Sequence, residues 1–334
     1  MALFHLGVGV CTTLNTQIST QRRRAMHNEA FSAILHQITD LNYTQLKKLR
    51  HRVEERISVD RVGKAVADRE GSIAACPHCD SHEISKWGST LQGRQRYRCK
   101  GCRKTFNSMA GTPLYRLRKP DKWNACGEQL WLSHPLRKVA RELGINLKTA
   151  FKWRHRLLKS PCQNKPSELL GIIEADETFI NESYKGRRIM HRESRRRGGG
   201  NPPKVPVLIA LDRNGAVTHS VLERNTREEL SNALIPLLSP DSVLCTDGNL
   251  SYQSIVKNLD IQIEHKRIVA LDNTHVLEGV YHIQTLNNYM MRWKTWLKRF
   301  NGVGTEYLDH YLAWFRFMEE KKRNSEKCWI IEAM

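Results

Sequence analysis

Two aspartates stand at the ends of apolar, strand-like runs. Asp176 closes Gly171-Ile-Ile-Glu-Ala-Asp176, and Asp247 closes Ser242-Val-Leu-Cys-Thr-Asp247. Downstream, a helix-like segment offers Asn287 where a third acid would be expected. Carboxylates delivered from strand ends can converge on hard divalent cations, which activate a hydroxyl and stabilise a departing oxygen, so the layout points to metal-dependent phosphodiester chemistry. Other acids lie close by. Glu174 is two residues from Asp176 on the same strand face, and Glu177 and Glu278 are near the key positions in sequence. Any of the three could substitute as a metal ligand, but a solvated acid or an ion pair with a basic neighbour is the expectation for each.

Four of the nine cysteines form a second constellation: Cys76-Pro-His-Cys79, nineteen residues, then Cys99-Lys-Gly-Cys102. Two Cys-x-x-Cys knuckles at this separation predict a four-thiolate zinc ribbon, with Gly101 expected to supply a permissive backbone in the second knuckle. A redox dithiol would need only one knuckle. Four thiolates complete the shell, which leaves His78 and His82 as bystanders. Between the knuckles, Arg94-Gln-Arg96-Tyr97-Arg98 reads as a basic strand with an aromatic on one face.

The elements that must position these groups follow from hydrophobic spacing. Residues 1–25 read as a disordered lead-in, and helical patterning begins after Met26, which competes with Met1 as the start. A helical segment at 26–70 carries Ile34, Leu35, Ile38 and Leu41, then Leu46, Leu49, Val53 and Ile57, at amphipathic spacing. It is read as a packing element for a neighbouring domain or a second subunit, with DNA contact by Lys47, Lys48, Arg50 and Arg52 as the alternative. The ribbon occupies 71–112. In 113–160, Leu136, Val139, Ala140 and Leu143 mark one helix, Gly144 breaks it, and Asn146 caps a second. This is the outline of a helix-turn-helix, with Leu147, Ala150, Trp153 and Leu157 facing inward. Lys148, Thr149, Lys152 and Arg156 would face a DNA groove.

A joint at Ser160 to Ser167 leads into a catalytic block at 168–320, followed by a tail at 321–334. The block reads as a strand to Asp176, a basic loop, a strand Val205 to Leu211, a turn at Asp212-Arg-Asn-Gly215 and a returning strand through Val221. Thr226 and Glu229 then form a capping box opening a helix, and the strand to Asp247 follows. That order suggests an α/β fold with a mixed sheet. The loop from Tyr184 to Lys204 concentrates Lys185, Arg187, Arg188, Arg192, Arg195, Arg196, Arg197 and Lys204, which suits phosphate tracking. On the last predicted helix, a seven-residue step rotates about 700°, so Asn287, Lys294 and Lys298 share a stripe. His282 could orient a ligand, contact substrate or cap the helix.

Charge agrees with a polyanionic partner. The 334 residues hold 54 Lys and Arg against 34 acids, a formal charge of +20, with 8 Trp and 9 Tyr interspersed. Nucleic acid fits this balance better than a membrane surface. No apolar run is long enough to span a bilayer. The apolar stretch from Leu3 to Leu14 lacks the flanks of a signal peptide. Scattered cysteines suggest a reducing cytosol, with the protein at the nucleoid.

Together these residues resemble bacterial insertion-sequence transposases with an N-terminal zinc ribbon and a DDE-type catalytic domain, in the branch where Asn replaces the final Glu. The resemblance covers about residues 28 to 320. It rests on the four-cysteine ribbon, Asp176-Glu-Thr178, Asp247-Gly248, His282-Ile-Gln-Thr-Leu-Asn287, Lys294 and Phe300-Asn-Gly-Val303. It implies a ribonuclease H-like core in which Asp176, Asp247 and Asn287 assemble a magnesium or manganese site, with Lys294 as companion. It further implies double-stranded DNA as substrate and a homo-oligomer that pairs two element ends. The competing expectation is a non-catalytic, sequence-specific DNA-binding protein derived from a transposase.

Overall fold

A computed structural model describes residues 29–91, 93–187, 203–259, 261–269, 275–321 and 329–332. The predicted lead-in at 1–25 lies outside them. So do Arg188, Arg192, Arg195, Arg196 and Arg197 of the basic loop. Two compact units divide the chain, at 1–60 and 61–334.

The first unit holds helix α1 (29–38) and the start of α2 (Tyr43–Gly71). Asn42 opens α2: its Oδ1 accepts the Gln45 N–H at 3.0 Å, and Gln45 Oε1 accepts the Asn42 N–H at 2.9 Å, a reciprocal cap. Of the apolar residues read from the sequence here, Ile38, Leu41 and Leu49 are half-buried. Phe31, Ile34, Leu35, Leu46, Val53 and Ile57 are all exposed.

In the second unit, the end of α2 is stitched to a small sheet. Arg69 Nε donates to the Ser108 carbonyl at 2.7 Å, and the Gln95 N–H donates to Glu70 at 2.8 Å. That sheet has three antiparallel strands in the order β1 (Ile84–Ser89), β2 (Gln95–Cys99) and β3 (Thr105–Asn107). Its core is small: Cys76, Cys99, Phe106 and Ala110, with Tyr97 stacked on Phe106 at 5.7 Å.

Four helices follow: α3 (Trp123–Trp131), α4 (Leu136–Leu143), α5 (Leu147–Leu157) and α6 (Lys159–Gln163). Gly144 ends α4 in the left-handed region at φ 57°, and Asn146 caps α5 by accepting the Lys148 N–H at 2.8 Å. Here the inward stripe differs from expectation. Leu147 is 45% exposed, whereas Arg154 and His155 are buried with Ala150, Trp153 and Leu157. A first-turn residue has no preceding turn to pack under, so Leu147 stays in solvent while the C-terminal half of α5 sinks into the core. The joint at 160–167 is helical in part, since α6 occupies its start, and Pro161 is buried.

The remaining block builds a five-stranded sheet in the order β6-β5-β4-β7-β8, from β4 (Ile172–Asn181), β5 (Lys204–Asp212), β6 (Val217–Val221), β7 (Val243–Thr246) and β8 (Glu264–Arg267). β4, β5 and β6 pair antiparallel, and β7 and β8 add parallel to β4. This is the ribonuclease H-like topology the sequence predicts. β8 was not foreseen, because its sequence Glu-His-Lys-Arg shows no apolar alternation. Connecting helices are α7 (Arg227–Leu234) and α8 (Leu250–Lys257), followed by α9 (Gln284–Lys298), α10 (Leu308–Lys321) and α11 (Trp329–Glu332).

Strand alternation sorts β5 between two cores. Leu208 and Ala210 join the cluster under α7 and α8. Val207, Ile209 and Leu211 join the opposite cluster, which runs without a break through α9, α10, α5 and α3. The helix pair is therefore packed onto the catalytic block. From the segment read as a tail, Trp329 and Ile330 are buried in the same cluster. Gly127 on α3 makes room for them, because a Cβ there would lie 3.2 Å from Trp329 Cβ.

Candidate active site and zinc centre

The four cysteines meet as predicted. Cys76, Cys79, Cys99 and Cys102 place their sulfurs within 4.8 Å of one another, with Cys76 to Cys102 at 3.7 Å and Cys79 to Cys99 at 3.6 Å. Each knuckle turns an amide onto its first sulfur: the His78 N–H donates to Cys76 and the Cys102 N–H to Cys99, both at 3.4 Å. Such donors favour thiolate, and the second holds the Cys99 thiol down to about 6, below its usual range. Burial pushes Cys76 up to about 11, the cost a cation would remove. The donor set, spacing and N–H···S geometry fit a structural zinc ion. The left-handed residues are Asp80 (φ 54°) and Arg103 (φ 57°), each just past its knuckle, so the permissive backbone is not at Gly101. His78 instead meets Phe106 edge-on at 6.3 Å.

The carboxylate site is assembled by strand register. β4 and β7 pair in parallel through Glu174↔Cys245, where the paired stretch ends. Two residues further along each chain stand Asp176 and Asp247. β7 stops at Thr246 while β4 continues to Asn181, so Asp176 lies in mid-strand rather than at a strand end. The sequence suggested a strand end because the polar run Asp176-Glu177-Thr178 interrupts the apolar residues there. The backbone does not stop, being held by β5 on the other side, where Asp176 faces Ile209. Oxygens of Asp176, Glu177 and Asp247 lie within 4.8 Å of one another. Burial, then the neighbouring Asp247 charge, pushes Asp176 up to about 7, while the Glu177 N–H (2.7 Å to its Oδ1) and Lys294 pull more weakly the other way. Glu177 is also raised, chiefly by burial. Three acids that repel one another in a half-buried site are suited to a divalent cation, whose charge offsets both penalties.

Helix α9 lies along this edge. It buries Leu286, Tyr289, Met290, Trp293 and Trp296 and leaves Asn287, Lys294 and Lys298 exposed, as the seven-residue stripe predicted. Asn287 and Asp247 line one cavity of about 330 Å³, and Lys294 and Lys298 line another of about 470 Å³ with Phe179 and Val303. The start of α9 is fixed by Glu174, which is fully buried. It accepts the Leu286 N–H at 2.9 Å, pairs with Arg213 at 2.8 Å and lies 3.6 Å from His282. His282 itself accepts the Gln284 N–H at 3.2 Å. These contacts place it at the helix start. Glu174 and Glu278 are ion-paired, to Arg213 and Lys266, as expected of them.

The residues expected at DNA are spread more widely. Lys148 and Lys152 are exposed on α5 and Thr149 is half-buried. Arg156 turns inward, donating to the Tyr115 carbonyl. Arg187 pairs with Glu306 at 3.2 Å and lies over the Tyr184 ring. Sequence reasoning missed two buried cations: Arg154, which binds the His134 carbonyl and lies 5.0 Å over Trp314, and Arg316, whose guanidinium holds the Asn164 and Pro161 carbonyls. A basic residue on an apolar helical face was the available signal. Among the described residues no helix is long and apolar enough to cross a membrane.

Known proteins resemble this chain in sequence. Residues 168–320 match the family model of the ISXO2-like transposase domain, DDE_Tnp_IS1595. An uncharacterized protein in transposable element ISH50 of Halobacterium salinarum is 27% identical over 75% of this chain and 87% of its own length. The insertion element iso-IS1N protein InsA of Shigella dysenteriae is 30% identical over 27% of this chain and 92% of its own length. Among solved structures, the Mos1 transposase paired-end complex aligns with a TM-score of 0.23 at 14% identity, covering 62% of this chain and 79% of that one. With an acidic strand-edge cluster, a cysteine centre and these sequence matches in hand, the chain belongs to the DDE-type transposases related to the IS1595 and IS1 families, metal-dependent enzymes that cut DNA and transfer its strands.

Proposed function

We propose that the chain acts on double-stranded DNA at the terminal inverted repeats of its own insertion sequence, hydrolysing the strand at each end and joining the freed 3′ ends to a target. The meeting of Asp176 and Asp247 at the point where β7 ends carries this reading. Mg²⁺ or Mn²⁺, when bound, would supply Lewis acidity at the scissile phosphate and a nucleophilic hydroxyl at neutral pH. Asp176 and Asp247 would hold the cations, and Asn287 would offer a neutral amide oxygen from the facing helix. Lys294 and Lys298, about two and three turns further along the exposed stripe, would take the flanking phosphates. No covalent enzyme intermediate is required.

Binding would draw on the wider basic surface. Lys148, Thr149 and Lys152 on α5 would face the repeat, and Arg187 with Arg188, Arg195, Arg196 and Arg197 would track backbone phosphates. Arg156, engaged by Tyr115, is left out of this set. Pairing of two DNA ends calls for a homo-oligomer, and a chain acting on chromosomal DNA works at the nucleoid. The test is strand joining by purified protein on duplexes bearing the element ends, with Mg²⁺ or Mn²⁺. Asp247→Ala should abolish it, and retained joining in that variant would overturn the assignment. Replacing Asn287 by Ala and by Asp reads its role, since loss with Ala and retention with Asp marks an oxygen ligand.

A further inference from the structure

The sequence offers two aspartates and an amide, yet three carboxylates meet at the site. We propose that Glu177 is the third acidic ligand of the catalytic cations, an assignment that rests on the transposase reading above and deepens it. Residues 176 and 177 are adjacent on β4, and adjacent strand residues point to opposite faces of a sheet. Asp176 shares its face with Glu174, which anchors α9, while Glu177 reaches Tyr252 of α8 on the other face. Both can serve one site only where the sheet has an open edge between the faces. β7 ends at Thr246, and that ending provides the edge: Asp247 follows directly, and its carboxylate lies within 4.8 Å of those at 176 and 177.

The partners of Glu177 favour the same conclusion. Among the described residues it makes no ion pair, in contrast to Glu174 and Glu278, whose charges Arg213 and Lys266 neutralise. Its contacts are neutral donors: the Tyr252 hydroxyl at 2.8 Å, fully buried, and the Asn249 side-chain amide at 3.4 Å. These donors orient the carboxylate and leave its charge in place. Asn249 also donates its backbone N–H to Asp247 Oδ1 at 3.0 Å and caps α8, so one short turn fixes Asp247 and Glu177 relative to each other. With cations bound, the site would present three carboxylates, with Asn287, which lines the same cavity as Asp247, in addition.

The experiment is a titration of zinc-loaded, full-length protein with Mn²⁺ alone, without DNA, following free Mn²⁺ by electron paramagnetic resonance. Asp176→Asn, Asp247→Asn and Glu177→Gln should each weaken binding by about ten-fold or more, and Asn287→Ala by about two-fold. Zinc content and the melting transition report folding. Should Glu177→Gln fail to fold, Glu177→Ala carries the same expectation. Wild-type affinity in a folded Glu177 variant, with the aspartate variants weakened, overturns the role of Glu177 and leaves the transposase site standing. Wild-type affinity in all three acidic variants, with DNA joining intact in Asp247→Asn, overturns both.

Discussion

The cysteine centre and the carboxylate site both gather anionic ligands, but they stand on different foundations. The ribbon's core is four buried residues, two of them cysteines of the four-thiolate set, so a zinc ion held there would substitute for a hydrophobic interior. The carboxylate site lies at the rim of a sheet covered on both faces by extensive apolar clusters. Its acids are a burden that the surrounding packing sustains. One centre holds the fold together, and the other is held by it.

That contrast can be broken by experiment. The largest effect is expected in chemistry: Asp247→Ala should lower strand joining by about a thousand-fold, the equivalent of about 4 kcal/mol, with the melting transition unchanged or raised. Co-loss of stability in that variant would remove the distinction. Next, Cys99→Ser or zinc chelation should abolish zinc binding and unfold the ribbon, since structural zinc contributes on the order of 10 kcal/mol to such modules. Hydrogen exchange should then rise across 76–107 and stay protected across β4 and β5.

A smaller effect has a definite pH signature. The metal-free folded state holds Asp176 at about 7 against 3.8 in the unfolded chain, so it binds the proton more tightly than the unfolded state. The stability of the protonated form is complete below about pH 4 and is lost as pH rises through 7. Asp176→Asn should therefore melt with wild type near pH 4 and above it by roughly 5 °C at pH 8, in calorimetry without divalent cations. Equal melting at both values would show that the site carries no electrostatic strain. The smallest effect belongs to Gly101→Ala. Its added Cβ would meet Ser81 Oγ at 3.5 Å and Cys99 Sγ at 3.6 Å, ordinary contacts, so zinc content should be unchanged and stability within about 0.5 kcal/mol.

The same contrast explains what could be read in the sequence. A knuckle is local: two sulfurs three residues apart must share a turn, and all four cysteines were identified together. Asp176, Asp247 and the α9 stripe were legible from apolar runs and helical spacing. Glu177 was expected to be a solvated or ion-paired acid, as most glutamates are, and it is the early end of β7 that lets its carboxylate reach those of Asp176 and Asp247. Inward-turned Arg156 and buried Arg154 were hidden for a related reason. Helical periodicity ranks faces within one helix but does not say which neighbours will cover them, and α5 is covered by α10 and the segment at Tyr115.

The unbroken apolar cluster from α3 and α5 through α9 and α10 acts as a ruler. Whatever α5 grips, it grips at an offset from Lys294 and Asp247 that side-chain packing sets, without the slack of a tether. Leu157 and Leu158, almost wholly buried, sit at the junction where a tether would otherwise be, so lengthening the chain there would require opening the core. For an enzyme that must cut at one phosphate, the spacing between grip and cut is stored in hydrophobic contacts, and it will be as exact as those contacts are tight.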